Sequence, residues 1–339
     1  MKVLVTGSAG FIGGYVVEEL LSAGHKVVGL DNLSKYGAIQ KSYDQQSKYQ
    51  FIKGDAKDAS LLKELLQDCD QILMGAAIIG GISLFHEYAY DLLAENERII
   101  AASFDAAIWA FKNRKLKKAN VISSSMVFES TTNYPTPEGE QFHCPPPLST
   151  YGFQKLACEY FAKGAWEQYK LPFTIIRPFN CIGIGEKRAL CDKEIMSGNV
   201  KLAMSHVVPD LVQKVLKKQN PLHILGDGNQ IRHYTYGGDL AKGIRLCLEN
   251  PKAVNEDFNL STPVSTTVLK LAQLIWQKIN GNNAFKYISD KPFTYDVQKR
   301  VPSVEKAKRL LGFEAKTTLS EALDEIIPWI KEQIAAGGI

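Results

Sequence analysis

No pair among the six cysteines, Cys69, Cys144, Cys158, Cys181, Cys191 and Cys247, stands at C-x-x-C spacing, and no Cys/His set has zinc-ligand spacing. A structural metal is not expected, and reduced thiols are. The chain also lacks any run of about 18 apolar residues, so no membrane-spanning helix is expected. Its N-terminus has no basic stretch leading into an apolar one with a cleavage site; Lys2-Val3-Leu4-Val5 already reads as a strand, and a cytoplasmic location follows as an expectation. Charge of one sign is scarce too. Lys and Arg number 40 against 36 Asp and Glu, a net +4, and no basic stripe carries the excess. The densest cluster, residues 112–118, reads as a solvated helix end, where cations are favoured by the helix dipole. With no aromatic-interleaved basic patch, a nucleic-acid partner is not expected. What remains is a 339-residue chain, 45 % hydrophobic and 22 % charged, ordinary for a globular protein and long enough for two lobes.

Short apolar runs alternate with helix-length amphipathic ones through the first half. Strands are expected at 3–5, 26–30, 49–53, 71–77, 119–123 and 173–177, with helices at 13–23, 59–67, 92–113 and 151–169. Strands separated by helix-length segments imply a parallel sheet covered on both faces, an α/β doubly wound, Rossmann-type fold. After Arg177 the alternation breaks. Residues 183–206 are polar, and helices are expected at 209–218, 239–248, 267–280 and 319–332, with a strand at 222–225. No internal repeat or low-complexity linker appears. The expected division is a nucleotide-binding domain over 1–180, to which 235–265 returns, and a smaller mixed α/β substrate lobe from 181–234 and 266–339.

The first strand runs into Thr6-Gly7-Ser8-Ala9-Gly10-Phe11-Ile12-Gly13. In this strand–turn–helix context Gly7 supplies a positive φ, Gly10 lets backbone approach a pyrophosphate, and Gly13 lets the helix pack closely. The helix N-terminus then faces the phosphates. Asp31, after the second strand, is placed to accept the ribose hydroxyls of NAD and to repel a 2′-phosphate; Asn32 and Ser34 follow it with no adjacent cation. Asp55 and Ala56 close the third strand near the adenine, and Ala76 and Ala77 follow the fourth. The G-x-x-G-x-x-G spacing resembles the short-chain dehydrogenase/reductase superfamily. The Thr-Gly start and Gly-Phe-Ile-Gly continuation resemble its extended branch, the nucleotide-sugar epimerases and dehydratases, which implies NAD as cofactor.

Ser123-Ser124-Ser125 closes the fifth strand, and Tyr151-Gly152-Phe153-Gln154-Lys155 opens a helix about 25 residues later. Four residues apart, Tyr151 and Lys155 share a helix face. An ammonium beside a phenol favours the phenolate, which can take a proton from a sugar hydroxyl as hydride leaves the same carbon. The set resembles the superfamily's catalytic Ser/Tyr/Lys, with Ser124 in the serine's register and Ser125 as the alternative. In the 4,6-dehydratases the two residues after that serine or threonine resemble an Asp-Glu pair; in the GDP-fucose synthases the second is a cysteine. Here they are Ser125 and Met126, and methionine can neither give nor take a proton. The resemblance therefore implies a 4-epimerase, with a dehydratase or reductase of the same family as the alternative. A non-catalytic NAD-binding sensor is a reading of another class, opposed by the intact Ser124, Tyr151 and Lys155.

Arg177-Pro178-Phe179-Asn180 resembles the Arg-x-Phe-Asn segment of UDP-sugar epimerases, in which Asn180 would donate to the substrate diphosphate. The stretch from His206-Val207-Val208-Pro209 to Arg232-His233-Tyr234 is similar to the same family and implies that Arg232 clamps the diphosphate, since a guanidinium fork suits two phosphate oxygens. Arg300 is a second candidate clamp, and Ser125 and His206 complete the expected substrate contacts. Departures are His206 in place of Asn, His233 in place of Asp, and Met74-Gly75 in place of His-Leu. Residues 77–82 resemble the GDP-fucose synthases and GDP-mannose epimerases, so the base is left open between UDP-, GDP- and CDP-type sugars. A homodimer is expected through a four-helix interface of the helices at 92–113 and 151–169.

Overall fold

The computed structural model describes residues 1–79, 88–186, 195–197, 200–202, 206–292 and 297–337. Seven parallel strands form one sheet: β1 (Lys2–Thr6), β2 (Lys26–Asp31), β3 (Tyr49–Lys53), β4 (Gln71–Met74), β5 (Lys118–Ile122), β6 (Phe173–Pro178) and β7 (Glu256–Leu260), in the order β7-β6-β5-β4-β1-β2-β3. Successive side chains of a strand point to opposite faces, so a strand buried on both sides reads as a continuous apolar run. β1 shows this directly. Leu4 packs on one face with Val28, Leu30, Ile72 and Phe104, while Val3 and Val5 pack on the other with Val16, Leu20, Ile176 and Ile244. The first face is covered by α2 (Ala59–Leu65), α3 (Ala89–Asn113) and α4 (Thr150–Tyr169), the second by α1 (Phe11–Ser22) and α6 (Gly237–Glu249). A separate core gathers α5 (Val207–Leu216), α7 (Val268–Asn280) and α9 (Leu319–Ala335) through Val212, Leu271, Ile275, Leu323 and Ile326. Between α7 and α9 lies the short α8 (Glu305–Leu311).

The chain runs outward from β1 to β3 and then restarts on the other side of β1 with β4. Such a reversal opens a crevice at the carboxyl ends of β1 and β4, where doubly wound sheets bind ligands. The fourth strand, expected to reach residue 77, stops at Met74. The Thr6 hydroxyl takes the next two N–H groups, those of Gly75 and Ala76, both at 3.1 Å, and so ends the ladder. Helices α1 and α3 begin two and three residues earlier than expected, at Phe11 and Ala89. Lys118, expected on a solvated helix end, is instead buried at the start of β5. Its ammonium donates to the Cys247 carbonyl at 2.6 Å, in the last turn of α6, and burial lowers its pKa to about 8. The strand β7 lies outside the expected set altogether.

Candidate active site

β1 ends at Thr6, and Gly7 turns the chain at φ 75°, in the left-handed region that favours glycine. A Cβ on Gly7 would lie 2.9 Å from the backbone of Ala76, and one on Gly13 would lie 2.0 Å from the Gly7 carbonyl oxygen. The turn is thus closed to side chains on both sides. α1 starts at Phe11 with Gly10 as N-cap and Ile12 in its first turn, and no side chain caps it. Its leading N–H groups are left for an anion. Asp31 ties the turn to the end of β2: one carboxylate oxygen accepts the Ala9 N–H at 3.0 Å, the other the Leu33 N–H at 2.8 Å. Each oxygen keeps a lone pair for a further donor. Ser34 donates its N–H to Asn32 Oδ1, Asp55 accepts the Lys57 N–H, and Ala56 is buried behind it. A glycine cradle, an uncapped helix start and a carboxylate at the next strand end fit a dinucleotide.

After β4, Ala76 and Ala77 lead to Ile78, which is held by a residue the sequence reading missed. Buried Asn96 of α3 accepts the Ile78 N–H at 2.7 Å and donates to the Ile78 carbonyl at 3.0 Å. Its only sequence signal was an amide inside an apolar helix face. Residues 80–82, part of the segment resembling the GDP-sugar enzymes, lie outside the described residues.

Ser124 follows β5 and is buried; its Oγ accepts the Met126 N–H at 3.2 Å and starts a 3-10 turn over Ser125–Phe128. Ser125 and Met126 are buried in that turn. The first turn of α4 is fastened to the same place. Ser149 caps it, accepting the Gly152 N–H at 3.0 Å, and donates its hydroxyl to Glu129 at 2.7 Å. A Cβ on Gly152 would come 2.8 Å from the Met126 carbonyl, so glycine lets the helix start, with Tyr151 in it, press against the turn after Ser124. One turn on, the buried Lys155 ammonium donates to the Ile122 carbonyl at 3.0 Å, at the end of β5. Ser124, the Tyr151 turn and Lys155 therefore converge at the carboxyl end of β5.

Behind them lies a buried charge network that no sequence pattern announced. Glu159, one turn beyond Lys155, takes a bidentate pair from Arg177 at 2.6 and 2.7 Å, the Ser123 hydroxyl at 2.6 Å and the Gln141 amide at 3.3 Å. Arg177 also bonds Asp257 at 2.7 Å, and Lys306 bonds Asp257 at 2.7 Å. Burial disfavours the Asp257 charge, but the Arg177 and Lys306 cations outweigh it and hold its carboxyl down at about 2.

In the second half of the chain the structure brings the two candidate clamps together. Ile231 N–H donates to the Gln298 carbonyl at 2.8 Å and Arg300 N–H to the Ile231 carbonyl at 3.1 Å, so Arg232 and Arg300 sit on adjacent segments. Burial pushes the Tyr234 phenol up while the Arg232 and Arg300 cations oppose it. Asn180 adopts φ 40°, and its buried Nδ2 has no partner among the described residues. His206 bonds the buried Glu186 through Nδ1. His233 is a neutral pin: burial lowers its pKa, Nδ1 donates to the Thr262 carbonyl at 2.8 Å, and Nε2 accepts from the Ser265 hydroxyl at 2.8 Å. Tyr15 of α1 was also missed. Its hydroxyl accepts the Ile184 N–H at 2.9 Å, linking the glycine turn's helix to the segment that leads toward His206.

Among the described residues no group of acids, histidines and cysteines could hold a metal ion, and no helix is long and apolar enough to cross a membrane. The profile of the NAD dependent epimerase/dehydratase family matches residues 3–261. A Bacillus subtilis protein described as an uncharacterized UDP-glucose epimerase, YtcB, is 29 % identical over 97 % of this chain and 98 % of its own length. A bovine dTDP-D-glucose 4,6-dehydratase is 25 % identical over 98 % of this chain and 89 % of its own. The structure of UDP-glucuronic acid 4-epimerase from Bacillus cereus, solved with UDP-glucuronic acid and NAD, superposes with a TM-score of 0.81 at 27 % identity, covering 98 % of this chain and 99 % of that one. With the glycine turn, the seven-stranded sheet and this match across most of its length, the chain belongs to the NAD-dependent epimerase/dehydratase family.

Proposed function

We propose that this protein is a 4-epimerase of a nucleoside-diphosphate sugar, in which Tyr151 is the acid/base. The observation that carries this reading is the convergence of Ser124, the Tyr151 turn and Lys155 beside the β1/β4 crevice, with Met126 buried where a dehydratase-type acid would be needed. Gly7, Gly10, Phe11, Ile12 and Gly13, together with Asp31, Asn32, Ser34, Asp55, Ala56, Ala76 and Ala77, would hold NAD, and bound NAD supplies the hydride acceptor and donor. Tyr151 takes the C4 hydroxyl proton and later returns it; Ser124 bonds the same oxygen throughout; Lys155 favours the phenolate. A 4-keto sugar formed this way turns over and is reduced on its other face. Asn180, Arg232 and Arg300 grip the diphosphate, with Ser125 and His206 lining the sugar. Binding energy from the nucleotide is remote from the reacting carbon and serves to orient it. We assign residues 181–234 and 266–339 to this grip and 1–180 with 235–265 to the cofactor.

A homodimer fits the same reading. Helices α3 and α4 frame an apolar groove of about 570 Å³ lined by Phe104, Ile108, Phe153, Tyr160 and Phe161, on the side of α4 away from Lys155, with Phe153 and Tyr160 exposed. Purified protein incubated with NAD and a panel of UDP-, GDP-, CDP- and dTDP-sugars is expected to give a 4-epimer without net NADH. No conversion across the panel sinks the reading. Net NADH consumption or a dehydrated product would favour the reductase or dehydratase alternative, in line with the bovine relative.

A further inference from the structure

The proposed chemistry uses Ser124, Tyr151 and Lys155, and leaves the buried Glu159 cluster without a task. Its geometry is specific. Helix α4 touches the end of β5 through two side chains one turn apart: Lys155 donates to the Ile122 carbonyl at 3.0 Å, and Glu159 accepts the Ser123 hydroxyl at 2.6 Å. Those two anchor points are the residues immediately before Ser124. Glu159 is 1 % exposed, Ser123 3 % and Arg177 0 %. A carboxylate there is held only by what it bonds, and Arg177 holds it with two parallel N–H donors from β6. Arg177 is fixed in turn by Asp257 of the edge strand, itself paired with Lys306. Gln141 adds a donor from the loop between β5 and α4. The cluster therefore spans β5, β6, β7 and α4, and its contact with the reacting groups runs through Ser123 and the helix turn that carries Lys155.

We propose that Glu159, held by Arg177, is a positioning residue: through Ser123 it sets the register of α4 on β5 and so the approach of Lys155 to Tyr151 and Ser124. The inference rests on reading Tyr151 and Lys155 as the working pair. The cluster is assigned no proton transfer, and its members Glu159, Ser123 and Arg177 are buried. It acts by fixing an ammonium whose effect on a phenol falls with distance. The network has to be buried to do this, because an exposed pair would be loosened by solvent and side-chain entropy.

The mildest perturbation is Ser123→Ala. It removes one of the two strand–helix ties and leaves the Glu159–Arg177 pair intact, whereas Glu159→Gln strips the charge and puts folding at risk. The readout is the tyrosinate ultraviolet band of the NAD-loaded protein, followed against pH as the difference from the same protein carrying Tyr151→Phe. It needs no sugar. At a fixed alkaline pH the Tyr151 band is expected to be roughly threefold weaker in Ser123→Ala than in the wild type. Ser123→Thr, which keeps the hydroxyl, is expected to restore it. Glu159→Gln, if folded, is expected to weaken the band in the same way, with no further loss when combined with Ser123→Ala. A Tyr151 band weakened by Lys155→Met but unchanged in Ser123→Ala overturns the inference alone, even if the melting temperature falls. A band equally strong in the wild type and in Lys155→Met overturns both the inference and the pairing of Tyr151 with Lys155.

Discussion

Removing one hydroxyl should loosen the crevice on which the whole site depends. Thr6 ends β1 at 1 % exposure; its Oγ1 accepts the N–H groups of Gly75 and Ala76, each at 3.1 Å, and its own proton points to the Leu73 carbonyl at 3.5 Å. Thr6→Val keeps the shape and deletes the acceptor, so two amide donors lose their partner. Each buried unsatisfied donor costs about 1–3 kcal/mol, and because Gly75 and Ala76 are only half-buried and water can reach part of the loop, the sum is expected at about 2–4 kcal/mol. Thr6→Ser keeps the hydroxyl and loses one methyl, about 1 kcal/mol. Urea unfolding separates the two: the midpoint should fall further for valine, with the slope unchanged. Affinity for NAD should fall with it, because the same bonds hold β4's exit beside the glycine turn. A Thr6→Val protein within about 0.5 kcal/mol of Thr6→Ser would refute the reasoning.

Three other perturbations follow from the same geometry. The Asp257 carboxyl is held from 3.8 down to about 2 in the folded protein, so the unfolded chain takes up the extra proton first as pH falls. Its contribution, about 2 kcal/mol, is complete above pH 4 and is lost as pH falls toward 2; the stability gap between wild type and Asp257→Asn should therefore close across that window, and a gap independent of pH contradicts it. Ser149→Ala removes the cap of α4 two residues before Tyr151 and should cost about 1 kcal/mol in urea unfolding, recovered by Ser149→Thr, which keeps both the cap and the donor to Glu129; an unchanged midpoint speaks against the cap. Tyr160→Glu puts a charge in the α3/α4 groove, and sedimentation is expected to show a dimer for the wild type and a monomer for the variant; a dimer that survives the substitution places the interface elsewhere.

Much of this architecture was legible in the chain because parallel strands buried on both faces advertise themselves. β1, β2, β4 and β6 are nearly unbroken apolar runs, and the glycine turn lies in the one context that gives it meaning. β7 was not legible. Its Glu256 and Asp257 look like loop residues, and only the cations of Arg177 and Lys306, 80 and 49 residues away from Asp257, make an acidic edge strand tolerable. Lys118 misled for the same reason: a lysine in a basic cluster reads as exposed, and the carbonyls that bury it come from α6. The Tyr151/Lys155 pair was visible at helical spacing, while Asn96, Tyr15 and Glu159 act through partners 18 to 169 residues distant. Motifs within one turn can be read from the sequence; bonds that close the site across the sheet cannot.

The central claim is chemistry at C4 alone, with the hydrogen carried away and returned by the cofactor. It is tested most directly by running the conversion of the accepted nucleotide sugar in deuterium oxide and reading the product by NMR. A 4-epimer with no deuterium on carbon is the predicted result, because Tyr151 exchanges only the hydroxyl proton. Deuterium at a carbon beside C4 would contradict it, since that requires a base acting at carbon, which the buried Met126 cannot be.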